Sequence, residues 1–517
     1  MQVLTQPELY VVTEAHSGQE RMLKKVLIAN RGEVAVRIVR ACRELGIETV
    51  SVYSDIDRSA LHVRYADESY LLGAAPPRES YLSIPRLIEI AKRSGADAVH
   101  PGYGFLAENA AFARACQDAG LIFIGPRPEV IELMGNKISA REVVQAAGLP
   151  VAPGTAPGLS DAELEAAALR IGYPLLVKAA AGGGGKGMRI VHSTAELPAA
   201  ITAARHEAES AFGDGALYLE GIIPGARHIE FQILGDEHGN VIHLGDRECS
   251  IQRRYQKLVE EAPSIALDDR LRHEMGWLAV HVAKKVGYSS AGTVEFLLDP
   301  QGNFYFLEMN TRLQVEHCVT EVATGIDVVR EQLCIAAGQP LRLQQQDVRV
   351  RGWAIECRIT AEDPYNHFRP SIGRISGVYE PTGPGVRLDS GVHEGFEVSP
   401  YYDSLIGKLV AWDSSRLATI LRMRRALEEY RILGIKTTIP FHQELMGHPR
   451  FIAGEFDTTF VEQGFTLVEN KLEQHLRTVA IAAALLDHDD RNQIRTPIVR
   501  ADRKRVSNWK FSGRWRV

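Results

Sequence analysis

The chain reads as an N-terminal α/β domain followed by a larger α+β region, and three features of the sequence say so. Short apolar runs alternate with helical patterns through the N-terminal part. A Pro/Gly-rich stretch, Ala152-Pro-Gly-Thr-Ala-Pro-Gly158, then interrupts that alternation. Beyond it, two apolar strands flank the turn Asp299-Pro-Gln-Gly-Asn303, which spells a hairpin rather than another βαβ unit.

Taken in order, Lys25 to Asn30 is an apolar strand, Gly32 begins a turn, and Val34 to Leu45 repeats its apolar residues at helical spacing. Strands at Thr49 to Tyr53, Ala98-Val99 and Leu121 to Ile124 complete a parallel sheet covered on both faces. After the Pro/Gly stretch come a helix over Asp161 to Ile171 and strands over Pro174 to Lys178 and Met188 to His192, a small unit ending near Gly221. The expected divisions are therefore an extension over 1–21, an α/β domain over 22–135, a linker and small domain over 136–222, an α+β domain over 223–464 and a tail over 465–517. In that tail, nine Arg/Lys residues between Arg491 and Val517 face the single acid Asp502, with Trp509, Phe511 and Trp515 among them. A solvated extension is the plain reading; docking to a partner subunit is the sharper one.

A net charge of -6 at pH 7 argues against nucleic acid or an anionic membrane as the main partner. The six cysteines show no C-x-x-C spacing, and residues 1–21 lack the apolar run of a signal peptide, so a cytoplasmic protein with reduced thiols is expected.

Two patterns carry chemistry. Gly182-Gly-Gly-Gly-Lys-Gly187 follows a strand, and its backbone amides can approach phosphate oxygens without side-chain hindrance. It is not a Walker loop, because Gly187 stands where Ser or Thr should bind magnesium, and a hairpin tip is the plain alternative. In the hairpin, Glu295 and Glu308 fall nearly opposite, and Asn310 shares a face with Glu308. Facing carboxylates repel unless a cation bridges them, and oxygen-only ligands suit Mg²⁺ or Mn²⁺ better than zinc. Thr311-Arg-Leu-Gln-Val-Glu-His317 follows at once, with a fixed cation at Arg312 and a possible base at Glu316; His317 alone reads as structural. Lys137 and Lys178 flank the Pro/Gly stretch and could neutralise phosphate in a cleft between domains.

Ile28-Ala-Asn-Arg-Gly-Glu33, His100-Pro-Gly-Tyr-Gly-Phe-Leu106, the glycine run, Gln252-Arg-Arg-Tyr-Gln-Lys257, Glu308-Met-Asn-Thr-Arg312 and Gln314-Val-Glu-His317 together resemble the biotin carboxylases over about residues 24–463. The resemblance implies an ATP-grasp fold with a Rossmann-like N-terminal domain, a mobile lid carrying Gly183, Gly184, Gly185 and Gly187, and a C-terminal α+β domain. By the same resemblance Lys137, Lys178, Glu220, Ile223, His228, Gln252 and Leu297 line the ATP site, and Glu295, Glu308 and Asn310 bind the metal, with two ions expected. Arg312, Gln314 and Val315 would hold bicarbonate, Glu316 would take its proton, Lys257 would neutralise charge, and Arg358 would stabilise the biotin anion. Without the resemblance, Arg358 reads as half of a buried salt bridge.

The sequence departs from the family pattern at Ala181, Gly221, Tyr255 and Cys318, the last where proline is usual; a looser loop around Glu316 is the expectation there. Another ATP-grasp carboxylate–amine ligase, and an idle nucleotide-binding subunit, are the rival readings. No Met-Lys-Met biotin attachment sequence occurs, so a separate biotin carboxyl carrier protein and carboxyltransferase are expected, together with homodimerisation. The acceptor, whether acetyl-CoA, propionyl-CoA, another acyl-CoA or pyruvate, is not legible.

Overall fold

The computed structural model describes residues 23–180, 188–465 and 479–488. The glycine run and the basic aromatic segment of the tail lie outside the described residues. The chain divides into one unit up to Leu467 and a second from Val468, of which residues 479–488 are helical with Val479, Ile481, Leu485 and Leu486 exposed. No described helix is long and apolar enough to cross a membrane.

The apolar runs at the N-terminus form a five-stranded parallel sheet in the order Glu68–Gly73, Glu48–Ser54, Lys25–Ile28, Ala98–His100, Ile122–Phe123. That order reverses direction at its first strand, the point where open α/β sheets leave a crevice for ligands. Here the crevice is closed by protein. Asn30 donates its side-chain amide to the carbonyls of Pro101 and Tyr103, both at 2.7 Å. Gly102 sits at φ +64°, and a Cβ there would meet the Asn30 amide at 2.9 Å, so the loop after the fourth strand can close over the turn only with glycine.

The Pro/Gly stretch is not a free linker. Gly221 donates to the Pro153 carbonyl at 2.7 Å and Thr155 donates to the Leu219 carbonyl at 2.9 Å, so these residues are stitched along strand Leu217–Gly221. That strand, with Leu175–Ala179 and Met188–Val191, makes a three-stranded antiparallel sheet. Helices Asp161–Ile171 and Leu197–Phe212 cover it, and Leu164, Leu175, Val177 and Leu219 are among its fully buried residues. Ser160 starts the first helix with a capping box, its hydroxyl accepting from the Glu163 amide while the Glu163 carboxylate accepts from the Ser160 amide.

The rest of the first unit is organised by one eight-stranded sheet. Its order is Phe304–Asn310, Ser290–Leu298, Arg227–Gly235, Val241–Arg253, Gln256–Ala262, Trp353–Thr360, Leu405–Asp413, Val386–Ser390, every pair antiparallel. The expected hairpin is its edge, and the Cα atoms of Glu295 and Glu308 are partners across it, with a register shift just after them.

Candidate active site

The edge hairpin and its neighbour strand place one row of polar side chains on one face. His228, Glu230 and Gln232 alternate along Arg227–Gly235, a period-2 pattern whose intervening Ile229, Phe231 and Ile233 are fully buried. Glu230 pairs in register with Glu295, so three buried acids, Glu230, Glu295 and Glu316, converge on Lys257. The lysine ammonium lies 2.6 Å from Glu230, 2.8 Å from Glu295 and 2.6 Å from Glu316. Burial works against its charge, but these three carboxylates outweigh burial and hold its pKa well above the ordinary lysine value.

Glu316 ends the loop after the hairpin, just before helix His317–Thr324. It is fully buried, and burial alone would push its pKa up; Lys257, Arg358 and Arg247 prevail and hold it well below the usual carboxylate range. Arg358 donates to it at 2.8 Å and to Glu260 at 2.6 Å, so the arginine is both a buried salt-bridge partner and a neighbour of Glu316. Arg312 donates to Glu108 at 2.8 Å, to the Asn310 side-chain oxygen at 2.9 Å and to Gln314 at 3.1 Å. Gln314 in turn donates to Glu295 at 3.1 Å. The cations and acids therefore form one closed network.

Of the expected metal ligands, Glu295 and Asn310 touch: the Asn310 amide nitrogen donates to Glu295 at 2.8 Å. His228 lies 2.8 Å from the other Glu295 oxygen. Burial pushes Glu308 up, and the charge on Glu295 pushes it further, with Lys137 and Lys257 only partly opposing. A buried acid facing a half-buried one that is driven towards the neutral form offers oxygen donors of the kind that fit Mg²⁺ or Mn²⁺. For Glu295 to serve, it must release some of the contacts it makes to Lys257, Asn310, Gln314 and His228. For Asn310 to join them, its oxygen must leave Arg312.

On the small domain, Lys178 forms an ion pair with Glu220, and Arg141 stands 3.7 Å from the same carboxylate. Lys137 opens helix Lys137–Ala146 in an exposed position. Gln252 is buried and pairs with Lys257 across the turn at Arg254 and Tyr255, both in the left-handed region. Leu297 pairs with His228. Ile223 is half-buried just beyond strand Leu217–Gly221, and Gly183, Gly184, Gly185 and Gly187 lie outside the described residues.

The looser loop expected at Cys318 is not found. Its thiol is fully buried and donates to Asp389 at 3.1 Å, and His317 beneath it donates to the Gln314 carbonyl at 2.7 Å. Burial and the nearby Lys408 lower the His317 pKa to about 3, so it is a neutral structural side chain. Sequence reasoning missed Glu230, Glu260, Arg247, Glu108 and Lys408. Glu230 alone had a local signal, the alternation His228-Ile-Glu-Phe-Gln232.

A buried carboxylate flanked by two cations thus lies beside the hairpin, and comparison with known proteins decides the family. Models of the biotin carboxylase N-terminal domain, the carbamoyl-phosphate synthase L chain ATP-binding domain and the biotin carboxylase C-terminal domain match residues 22–131, 136–344 and 356–463. The chain belongs to the biotin carboxylase family. It is 56% identical over 441 residues to the biotin carboxylase of a Nostoc species, covering 85% of this chain and 98% of that one. The small subunit of Hydrogenobacter thermophilus 2-oxoglutarate carboxylase is 53% identical over 443 residues, covering 86% and 94%. Among solved structures, the biotin carboxylase domain dimer of that 2-oxoglutarate carboxylase, in complex with MgADP, ADP and bicarbonate, superposes with a TM-score of 0.84 at 52% identity, covering 87% of this chain and all of that one. The fold is thus ATP-grasp, and the chain is an ATP-dependent ligase of the biotin carboxylase family.

Proposed function

We propose that this chain uses ATP and bicarbonate to carboxylate biotin on a carrier protein, with Glu316 as the base. The observation that carries this reading is a fully buried carboxylate held between two cations, Lys257 at 2.6 Å and Arg358 at 2.8 Å. Such an acid is ionised but weakly basic while both pairs persist. A bicarbonate ion that takes over hydrogen bonds from Lys257 and Arg358 loosens both, and the affinity of Glu316 for a proton rises as the substrate arrives.

Arg312, Gln314 and the Val315 backbone then orient bicarbonate for attack on the γ-phosphorus of ATP. An oxygen–phosphorus bond forms, the bond to ADP breaks, and the bicarbonate proton passes to Glu316. The product, carboxyphosphate, splits into CO₂ and phosphate; phosphate accepts the proton of the biotin ureido nitrogen, and that nitrogen bonds to CO₂. Arg358 would stabilise the negative charge that develops on the biotin ureido oxygen. Lys137, Lys178, Glu220, Ile223, His228, Gln252, Leu297 and the glycine run hold the nucleotide. Glu295, Glu308 and Asn310 would hold Mg²⁺ or Mn²⁺, two ions in all, which would supply positive charge to the phosphate oxygens. A relative that is the small subunit of a carboxylase supports a carrier and transferase acting as partners, and the dimeric neighbour supports a homodimer. The same relative adds 2-oxoglutarate to the candidate acceptors.

The test is ADP release with Mg-ATP, with bicarbonate alone and with bicarbonate plus biotin, in wild type and Glu316→Gln. Bicarbonate-dependent, biotin-stimulated release that is lost in the variant is expected. Release that ignores both would mean another ATP-grasp ligase, and none at all would favour an idle nucleotide-binding protein.

A further inference from the structure

Lys408 lies on strand Leu405–Asp413, is fully buried, and has no part in the steps above. Its ammonium meets three acceptors on three separate segments. The Val315 carbonyl accepts at 2.9 Å; Glu33, on the helix after the first strand, stands at 3.2 Å; Asp389, on the adjoining strand, stands at 3.9 Å. An ammonium has three donors, and burying one without partners costs several kcal/mol. Here the one hydrogen bond goes to Val315, and the two carboxylates offset the buried charge as ion pairs.

The Val315 carbonyl belongs to the peptide that leads directly into Glu316. The carbonyl before it, Gln314, is taken by the His317 ring at 2.7 Å. The helix that follows is fixed through Glu321, which accepts from Arg37 at 2.8 Å and from Arg387 at 2.7 Å. The short segment that presents the base thus has a dedicated donor on each of its two carbonyls, and Lys408 supplies the one nearest the base. A peptide held by its carbonyl has its plane fixed, and so the directions of the amide and side chain on either side of it.

We infer that Lys408 is a positioning residue for bicarbonate, orienting the Val315–Glu316 segment so that the Val315 amide and the Glu316 carboxylate meet the same small anion. This rests on the assignment of Glu316 as the base. Because the lysine reaches the substrate only through the peptide, its loss shows in the use of bicarbonate and not in the binding of nucleotide.

Methionine matches the length of lysine without its charge. Lys408→Met leaves Asp389 with Arg387 at 2.8 Å, and Glu33, which burial pushes up to about 7 even beside the lysine, can become neutral. The variant is therefore expected to fold. The experiment measures ADP release by the full chain with bicarbonate varied at saturating ATP and ATP varied at saturating bicarbonate, alongside thermal unfolding. A rise in KM for bicarbonate of about tenfold or more, with KM for ATP within about twofold of wild type, is expected. Unchanged KM for bicarbonate, or a parallel rise in both, would overturn the inference. If Lys408→Met does not fold, Lys408→Met/Glu33→Gln removes both members of the ion pair and should fold with the same split; if that variant is unfolded too, Lys408 serves packing alone and the inference falls. Wild type whose ADP release ignores bicarbonate removes the assignment of Glu316. Wild type that depends on bicarbonate, with Lys408→Met indistinguishable from it, removes only the role of the lysine.

Discussion

Glu260 is fully buried, and burial pushes its carboxyl up to about 7 against the pull of Arg358, whose guanidinium it accepts at 2.6 Å. The charge on Glu316 adds to that rise. Above about pH 7 Glu260 is ionised and shares Arg358 with Glu316; below it Glu260 takes a proton and the arginine keeps one anionic partner of the two. We expect kcat/KM for bicarbonate in wild type to rise through an ionisation near pH 7 that is absent from the profile of Glu260→Gln. A wild-type profile with no such step would remove this role. Which residues were legible follows from distance along the chain. Glu295, Glu308 and Asn310 lie within one hairpin, where strand periodicity alone puts them together. Glu260 and Arg358 meet because strands distant in sequence become neighbours, Glu230 and Lys257 reach across the strand between them, and Glu33 meets Lys408 from a helix; no local period records such meetings.

The small domain tests the same point for elements. Helix Asp161–Ile171 was readable from its apolar spacing, and the structure adds the Ser160–Glu163 capping box that starts it. Ser160→Ala should cost about 1 kcal/mol, seen as amide exchange about fivefold faster across the first turn of that helix, with exchange in the eight-stranded sheet unchanged. Equal rates in both proteins would mean that packing against the three-stranded sheet, and not the cap, sets the stability of the helix. The strand Leu217–Gly221 was the element least visible in sequence. It is short, it follows the loop after helix Leu197–Phe212, and its pairing with Leu175–Ala179 spans some forty residues. The hairpin at Glu295 lies at the other extreme, since a turn of fixed length dictates its own register.

At the scale of the whole molecule, four strands of the parallel N-terminal sheet were legible from apolar runs alternating with helices, the half-exposed edge strand Glu68–Gly73 was not, and neither was the eight-stranded sheet. Strand Gln256–Ala262 pairs with Trp353–Thr360 across about ninety residues of intervening chain, and apolar patterning says nothing about such a partner. The assembly leads to one prediction about partners. Biotin presented on a carrier protein should be carboxylated with a kcat/KM at least about a hundredfold above that of free biotin, because a docked carrier supplies binding energy that the free vitamin lacks. Equal efficiency with the two would dismiss the carrier as the true substrate.

The stretch from Pro153 to Thr155 looks like a seam at which the chain could be cut. Because it is hydrogen-bonded along Leu217–Gly221, it behaves as a border strand of the small domain that follows it in sequence. A fragment begun after Gly158 would expose that border to solvent and to neighbouring chains. An isolated small domain for crystallisation or labelling should therefore begin upstream of Pro153.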